Sequence, residues 1–149
     1  WVYHKRRTDF RKFWRQVYNS GIARINLYKK YPDSLKLVHL LPMVFTLGVI
    51  FLALLFIDGL LTCLFSASSD ASSWGLDAME LALAPLILYS LLIFADSARQ
   101  NHSMKIGLLS VRAAFTQLMG YGCGFLQAWW RRCVRGQDEF AAYEKNFYK

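Results

Sequence analysis

The order of apolar and polar positions divides the chain into four stretches of different character. From Thr8 onward, Phe10, Phe13, Trp14, Val17, Tyr18, Gly21, Ile25 and Tyr28 recur every three or four residues, while Arg11, Lys12 and Arg15 fall on the other side. That period predicts an amphipathic helix over residues 9–28. Thr8 suits its N-cap, and Asp9 its first turn, where a carboxylate meets the positive end of the helix dipole. Tyr31, Pro32, Asp33 and Ser34 then break the pattern.

Three apolar runs follow. No charged residue occurs from Leu37 to Ile57, and after Asp58 the apolar character resumes to Phe65. A bilayer-crossing helix needs roughly 20 apolar residues, so residues 37–65 are expected to span, with Pro42 near the start, where a missing N–H costs little. Residues 66–73 are small and polar and read as a loop. The second run, Leu81 to Ala95, is bracketed by Glu80 and Asp96 and predicts a helix over residues 79–98. Residues 97–105 read as a polar linker. The third run, residues 106–130, is interrupted by Arg112 and diluted by Gln117, Gln127 and glycines. The expectation is an all-α membrane protein: an interfacial amphipathic helix followed by three hydrophobic helices. The first two span. The third either crosses too, with Trp129 and Trp130 as its aromatic belt, or lies along the interface.

Charge adds orientation. The chain carries 18 Lys and Arg against 10 Asp and Glu, a net +8. Residues 1–36 hold Lys5, Arg6, Arg7, Arg11, Lys12, Arg15, Arg24, Lys29, Lys30 and Lys36 against only Asp9 and Asp33. A basic surface attracts nucleic-acid phosphate, but this one leads directly into a span, where anionic lipid is the nearer partner, so no nucleic acid is expected. Basic residues favour the cytoplasmic side. The amino-terminal side and the linker with Arg99 and Lys105 therefore face inward, and residues 66–77 outward. Residues 131–149 form a basic and aromatic tail. Cys63, Cys123 and Cys133 are odd in number and scattered, which fits packing better than a metal site.

Val2-Tyr3-His4-Lys5-Arg6-Arg7-Thr8, Phe10-Arg11-Lys12-Phe13, Gln16 and Asn19-Ser20-Gly21-Ile22-Ala23-Arg24 resemble the junction after the catalytic domain of bacterial membrane glycosyltransferases of family 2. Lys36-Leu37-Val38-His39-Leu40-Leu41-Pro42 and Gly120-Tyr121-Gly122-Cys123-Gly124-Phe125-Leu126 are similar to the membrane part of the same group. The resemblance implies an upstream GT-A domain that binds a nucleotide sugar through an Asp-x-Asp metal site. No Asp-x-Asp occurs here. On this reading residues 1–8 end a truncated catalytic domain, with Trp1 to His4 as its last strand. The chain is then the membrane anchor and acceptor-side region of an enzyme of the bacterial inner membrane, cytoplasmic on its amino-terminal side. It is not catalytic alone and holds no cofactor, the divalent metal belonging to the absent domain. The alternative is a non-enzymatic membrane scaffold or assembly subunit that binds anionic lipid.

Candidate acceptor-side residues are His4, Gln16, Gly21 and Arg24. Related processive synthases carry Gln-x-x-Arg-Trp on an interfacial helix, and Gln16 and Arg24 occupy a similar helix at a wider spacing without the Trp. Eight residues apart, they share one face. Gln16 is suited to sugar hydroxyls and Arg24 to a diphosphate, or Gln16 is solvated and Arg24 holds lipid phosphate. Gly21 leaves space for another backbone or a sugar. His4 is either a phosphate or metal contact or an ordinary polar residue. His39 and His102 have no partners at useful spacing and read as interfacial. Gly120 and Gly124 have the spacing of a close helix contact, expected against the first or second span, with Gly122 on another face. Asp96 and Arg112 are expected either to pair within the inner half of the bilayer or to reach water and lipid phosphate separately.

Overall fold

A computed structural model of the chain describes residues 9–65 and 68–137, and among these every regular element is helical. Helix α1 is Phe10–Lys30, α2 is Leu41–Phe65, α3 is Ser69–Asn101 and α4 is Met104–Trp129, which widens into a π-helical turn at Trp130–Val134. Two 3-10 turns, Pro32–Ser34 and Leu37–His39, link α1 to α2. Among the described residues two helices are long and apolar enough to cross a membrane, within Leu37–Phe65 and Ser72–Asn101.

Local chemistry sets the helix ends. Asp9, not Thr8, is the N-cap of α1, its carboxylate accepting from Arg11 N at 2.9 Å. Tyr31 N still reaches Leu27 O at 2.7 Å, but Pro32 has no N–H to continue the ladder, and the chain tightens into a 3-10 turn. Pro42 falls in the first turn of α2, where its nitrogen is not needed as a donor.

Helix α3 is longer than the hydropathy pattern predicts and absorbs most of two expected connections. The serine-rich stretch is helical from Ser69 onward. Ser72 Oγ and Ser73 Oγ donate back to the carbonyls of Ser68 and Asp70, at 3.2 and 2.7 Å, which spends their hydrogen-bonding capacity inside the helix. Asp70 lies in the first turn, favourably for the dipole. At the other end the polar linker is helical to Asn101, leaving His102 and Ser103 as the connection to α4. His102 takes a left-handed conformation, φ 49°, which lets Ser103 N donate to Ala98 O at 3.2 Å and close the helix end. Ser103 Oγ lies 3.5 Å from Ile106 N and caps α4.

The chain forms two compact units. The first joins α1 and the start of α2, to Thr46, with α4 from Ala113 onward. Its core is Ile22, Ile25, Phe125 and Ala128, with Tyr18, Leu35, Leu40, Met43, Tyr121 and Cys133 packed around them. The second, Leu47–Arg112, is held where α2 meets α3 at a pair of glycines: a Cβ on Gly59 would stand 2.6 Å from Gly75 O, and one on Gly75 2.5 Å from Cys63 Sγ. Buried Ala78 and Ala82 continue the small face of α3. At its other end a Cβ on Gly107 of α4 would stand 2.9 Å from the Phe94 ring, and the hydroxyls of Ser97 and Ser110 share a hydrogen bond of 2.6 Å.

Candidate functional site

The functional side chains suggested by the sequence converge on α1, whose two faces do different things. The first face clamps α4. A Cβ on Gly21 would lie 2.7 Å from Phe125 N and closer still to Tyr121 O, so the space at Gly21 is filled by a backbone and not by a sugar. In return, Gly124 lies against the Tyr18 carbonyl, and a Cβ on Gly120 would stand 2.5 Å from Val17 Cγ2. The Gly120 and Gly124 ridge thus packs on α1, where the first or second span was expected. It is Gly122, about 200° round the helix, that faces the start of α2, with Pro42 O 2.5 Å from its Cβ position. Thr46, fully buried, donates to Pro42 O at 2.8 Å and reaches Leu118 O at 3.4 Å, tying the same joint.

Two side-chain hydrogen bonds reinforce the α1–α4 clamp. Tyr18 OH donates to Gln127 Oε1, and Arg132 Nη1 donates to Asn26 Oδ1 at 2.8 Å. Burial, and after it the nearby Cys123, hold the Tyr18 phenol above its ordinary pKa, so it remains a donor throughout the neutral range.

The second face carries the candidate chemistry. Ser20, Ala23, Arg24 and Leu27 line a shallow groove of about 220 Å³, and Gln16 lies one turn before them on the same side. The spacing argument for Gln16 and Arg24 therefore describes one face of a real helix, while Gly21 belongs to the opposite one. Ser20 Oγ donates to Gln16 O at 3.0 Å, which leaves it no proton for a ligand. His39 lies in the turn before α2. Its Nδ1 accepts from Lys36 N at 3.0 Å, within its own 3-10 turn. Sequence spacing did not reveal that contact because the donor is a backbone N–H and not a side chain. His102, likewise read as interfacial, has instead a defined backbone role at the end of α3.

His4 lies outside the described residues. The Asp96 carboxylate accepts two hydrogen bonds from Gln100 Nε2 of its own helix, at 2.9 and 2.8 Å. Arg112 is exposed on α4, and a hydrogen bond between Ser97 and Ser110 links α3 to α4 nearby. Among the described residues no group of three His, Cys, Asp or Glu side chains could hold a metal ion. The chain matches no protein-family model, no curated protein and no solved structure.

Proposed function

We propose that this chain anchors a family 2 glycosyltransferase in a bacterial inner membrane and forms its acceptor side, with sugar transfer from a nucleotide donor carried out by a domain upstream. One observation carries the anchor reading: the apolar side chains of α2 and α3 point outward. Phe51, Leu54 and Leu64 are 64%, 61% and 67% exposed, and Leu81 and Leu92 are 65% and 62% exposed. Leaving such a side chain in water forgoes about 1.5–3 kcal/mol each, a penalty that hydrocarbon surroundings remove. Contiguous apolar surface on this scale marks a membrane or partner contact.

The transferase reading is supported by the resemblance of the α1 region and by the disposition of α1. The helix is held from behind by α4, so that Gln16 and Arg24 share a face that remains open. A diphosphate or a sugar hydroxyl is the chemistry those two side chains suit. The acidic and serine-rich start of α3 then faces outward and the His102 turn inward, following the distribution of Lys and Arg.

Cysteine accessibility in intact cells tests the anchor. With the three native cysteines replaced by Ala, Ser73→Cys should react with an impermeant maleimide from outside, and Lys105→Cys only after lysis. Reaction of both from outside, or of Ser73→Cys only after lysis, would overturn the topology. For the transferase, the intact protein with Arg24→Ala should lose incorporation of labelled sugar into the membrane fraction while remaining membrane-bound. Undiminished incorporation would remove Arg24 from the acceptor side.

A further inference from the structure

We infer that α4 does not cross the bilayer: α1 and α4 lie side by side on its inner face, and their carboxyl ends together rest on anionic lipid head groups. This rests on the membrane reading above, with α2 and α3 as the two spans. The clamp between α1 and α4 has a direction. Trp14 and Val17 stand against Gly120, the Tyr18 carbonyl against Gly124, and Gly21 against Phe125 N, while Asn26 bonds Arg132 at 2.8 Å. Contacts that advance together along both chains make the two helices parallel neighbours, so whatever surrounds α4 from Gly120 to Arg132 surrounds α1 as well. Helix α1 keeps Arg11, Lys12 and Arg15 exposed at one end and Lys29 and Lys30 at the other, with Arg24 between them. Its longest uncharged run, residues 16–23, falls far short of the roughly 20 apolar residues that a crossing needs, and cations in hydrocarbon require a partner or a path to the head groups. Helix α4 is likewise not one of the two helices long and apolar enough to cross. Two crossings return the chain to the side on which it began, so α4 sets out on the same side as α1, the one that Lys and Arg assign to the cytoplasm.

The parallel arrangement brings two distant stretches of sequence to one end. Cys133 and Leu35 pack on the same core cluster, which holds the segments following α4 and α1 together. Tyr31, Trp129 and Trp130 are 55%, 45% and 49% exposed at this end. Lys30 Nζ stands 5.6 Å from the centre of the Tyr31 ring, and Arg135 Cζ 5.8 Å from that of Trp130. Across residues 26–36 and 126–137, Lys29, Lys30, Lys36, Arg131 and Arg135 are exposed against a single acid, Asp33. Aromatic rings settle at head-group depth, with an apolar body and a polar edge, and cations beside them favour an anionic leaflet. A second copy of the chain would present the same positive charge and be repelled.

Cysteine labelling of the whole chain tests the side. With the native cysteines replaced by Ala, Lys12→Cys and Gln137→Cys should both react with an impermeant maleimide only after lysis, whereas Ser73→Cys reacts in intact cells. Gln137→Cys reacting from outside, in cells where Ser73→Cys does too, would show that α4 crosses and overturn the inference while leaving the membrane reading intact. Ser73→Cys reacting only after lysis would fault the membrane reading and this inference with it. Nanodiscs test the docking. A nitroxide on Gln137→Cys should lose about half its accessibility to a neutral aqueous nickel complex when phosphatidylglycerol replaces part of the phosphatidylcholine. Lys29→Gln, Lys30→Gln and Arg135→Gln together should abolish that loss. Arg11→Gln, Lys12→Gln and Arg15→Gln together remove the same charge from the other end of α1 and should preserve it. Equal responses of the two triple variants, or no difference between the lipids, would overturn the docking.

Discussion

Gly124 of α4 rests against the carbonyl of Tyr18 in α1, so closely that no side chain at Gly124 can be accommodated without moving one helix. The same is true of Gly21 against Tyr121 O and Phe125 N. Gly124→Ala and Gly21→Ala should each cost about 2–3 kcal/mol, because rigid backbone and not a flexible side chain is in the way. Gly120→Ala meets side chains and not backbone, a methyl of Val17 at 2.5 Å and the Trp14 ring at 3.4 Å, and should cost about 1 kcal/mol. Nothing lies within 4 Å of a Cβ on Gly48, so Gly48→Ala should fall within about 0.5 kcal/mol of the parent. Unfolding in detergent would rank the four, and a Gly48→Ala effect equal to that of Gly124→Ala would refute close approach as the cause.

The Tyr18 to Gln127 hydrogen bond should show as a coupling energy. Tyr18→Phe leaves the Gln127 carbonyl without its donor and should destabilise by about 1–2 kcal/mol, whereas the same change in a Gln127→Leu background should cost clearly less. Additive losses across that double-mutant cycle would mean that the bond contributes nothing.

His102 occupies a backbone conformation, φ 49°, that a side chain makes costly by about 1–2 kcal/mol. Glycine removes the cost but gains freedom in the unfolded chain, so His102→Gly should raise stability by a few tenths to about 1 kcal/mol. His102→Val, branched at Cβ, should lower it. A stabilising Val would show that the turn does not keep this geometry.

Leu54 separates lipid from water as the surroundings of α2. In hydrocarbon, Leu54→Asp should cost about 3 kcal/mol of insertion free energy and shift the chain out of the carbonate-resistant membrane fraction. In water, the same exposed substitution should stay within about 0.5 kcal/mol and leave fractionation unchanged.

What the sequence revealed divides along physical lines. Periodicity located α1 because its apolar residues are buried against one partner, and length located α2 because a long uncharged run has few other uses. The start of α3 was not legible. Serines are neutral to poor helix formers on average, and only the back-bonds from Ser72 and Ser73 show how these accommodate a helix. Gly120 and Gly124 announced a close contact, but small residues name no partner, and the period of α1 does not say which helix its apolar face meets. The same limit hid the Gly59 and Gly75 crossing, where one glycine on each helix leaves no repeat to notice. Of the candidate site, the common face of Gln16 and Arg24 follows from helical spacing, whereas the His39 hydrogen bond to Lys36 N depends on a 3-10 turn that hydropathy does not mark.

The clamp of α1 on α4 also sets an order of events during synthesis. Tyr18 and Gln127 are 109 positions apart, so α1 leaves the ribosome long before its partner exists. At about 5–20 residues per second, roughly 5–20 s pass before the last turn of α4 is made. Throughout that interval Ile22, Ile25 and the close-packing surface at Gly21 have no α4 to close on. A chain halted before Phe125 should therefore remain protease-sensitive within α1, and one released after Arg132 should acquire resistance there in a single late step.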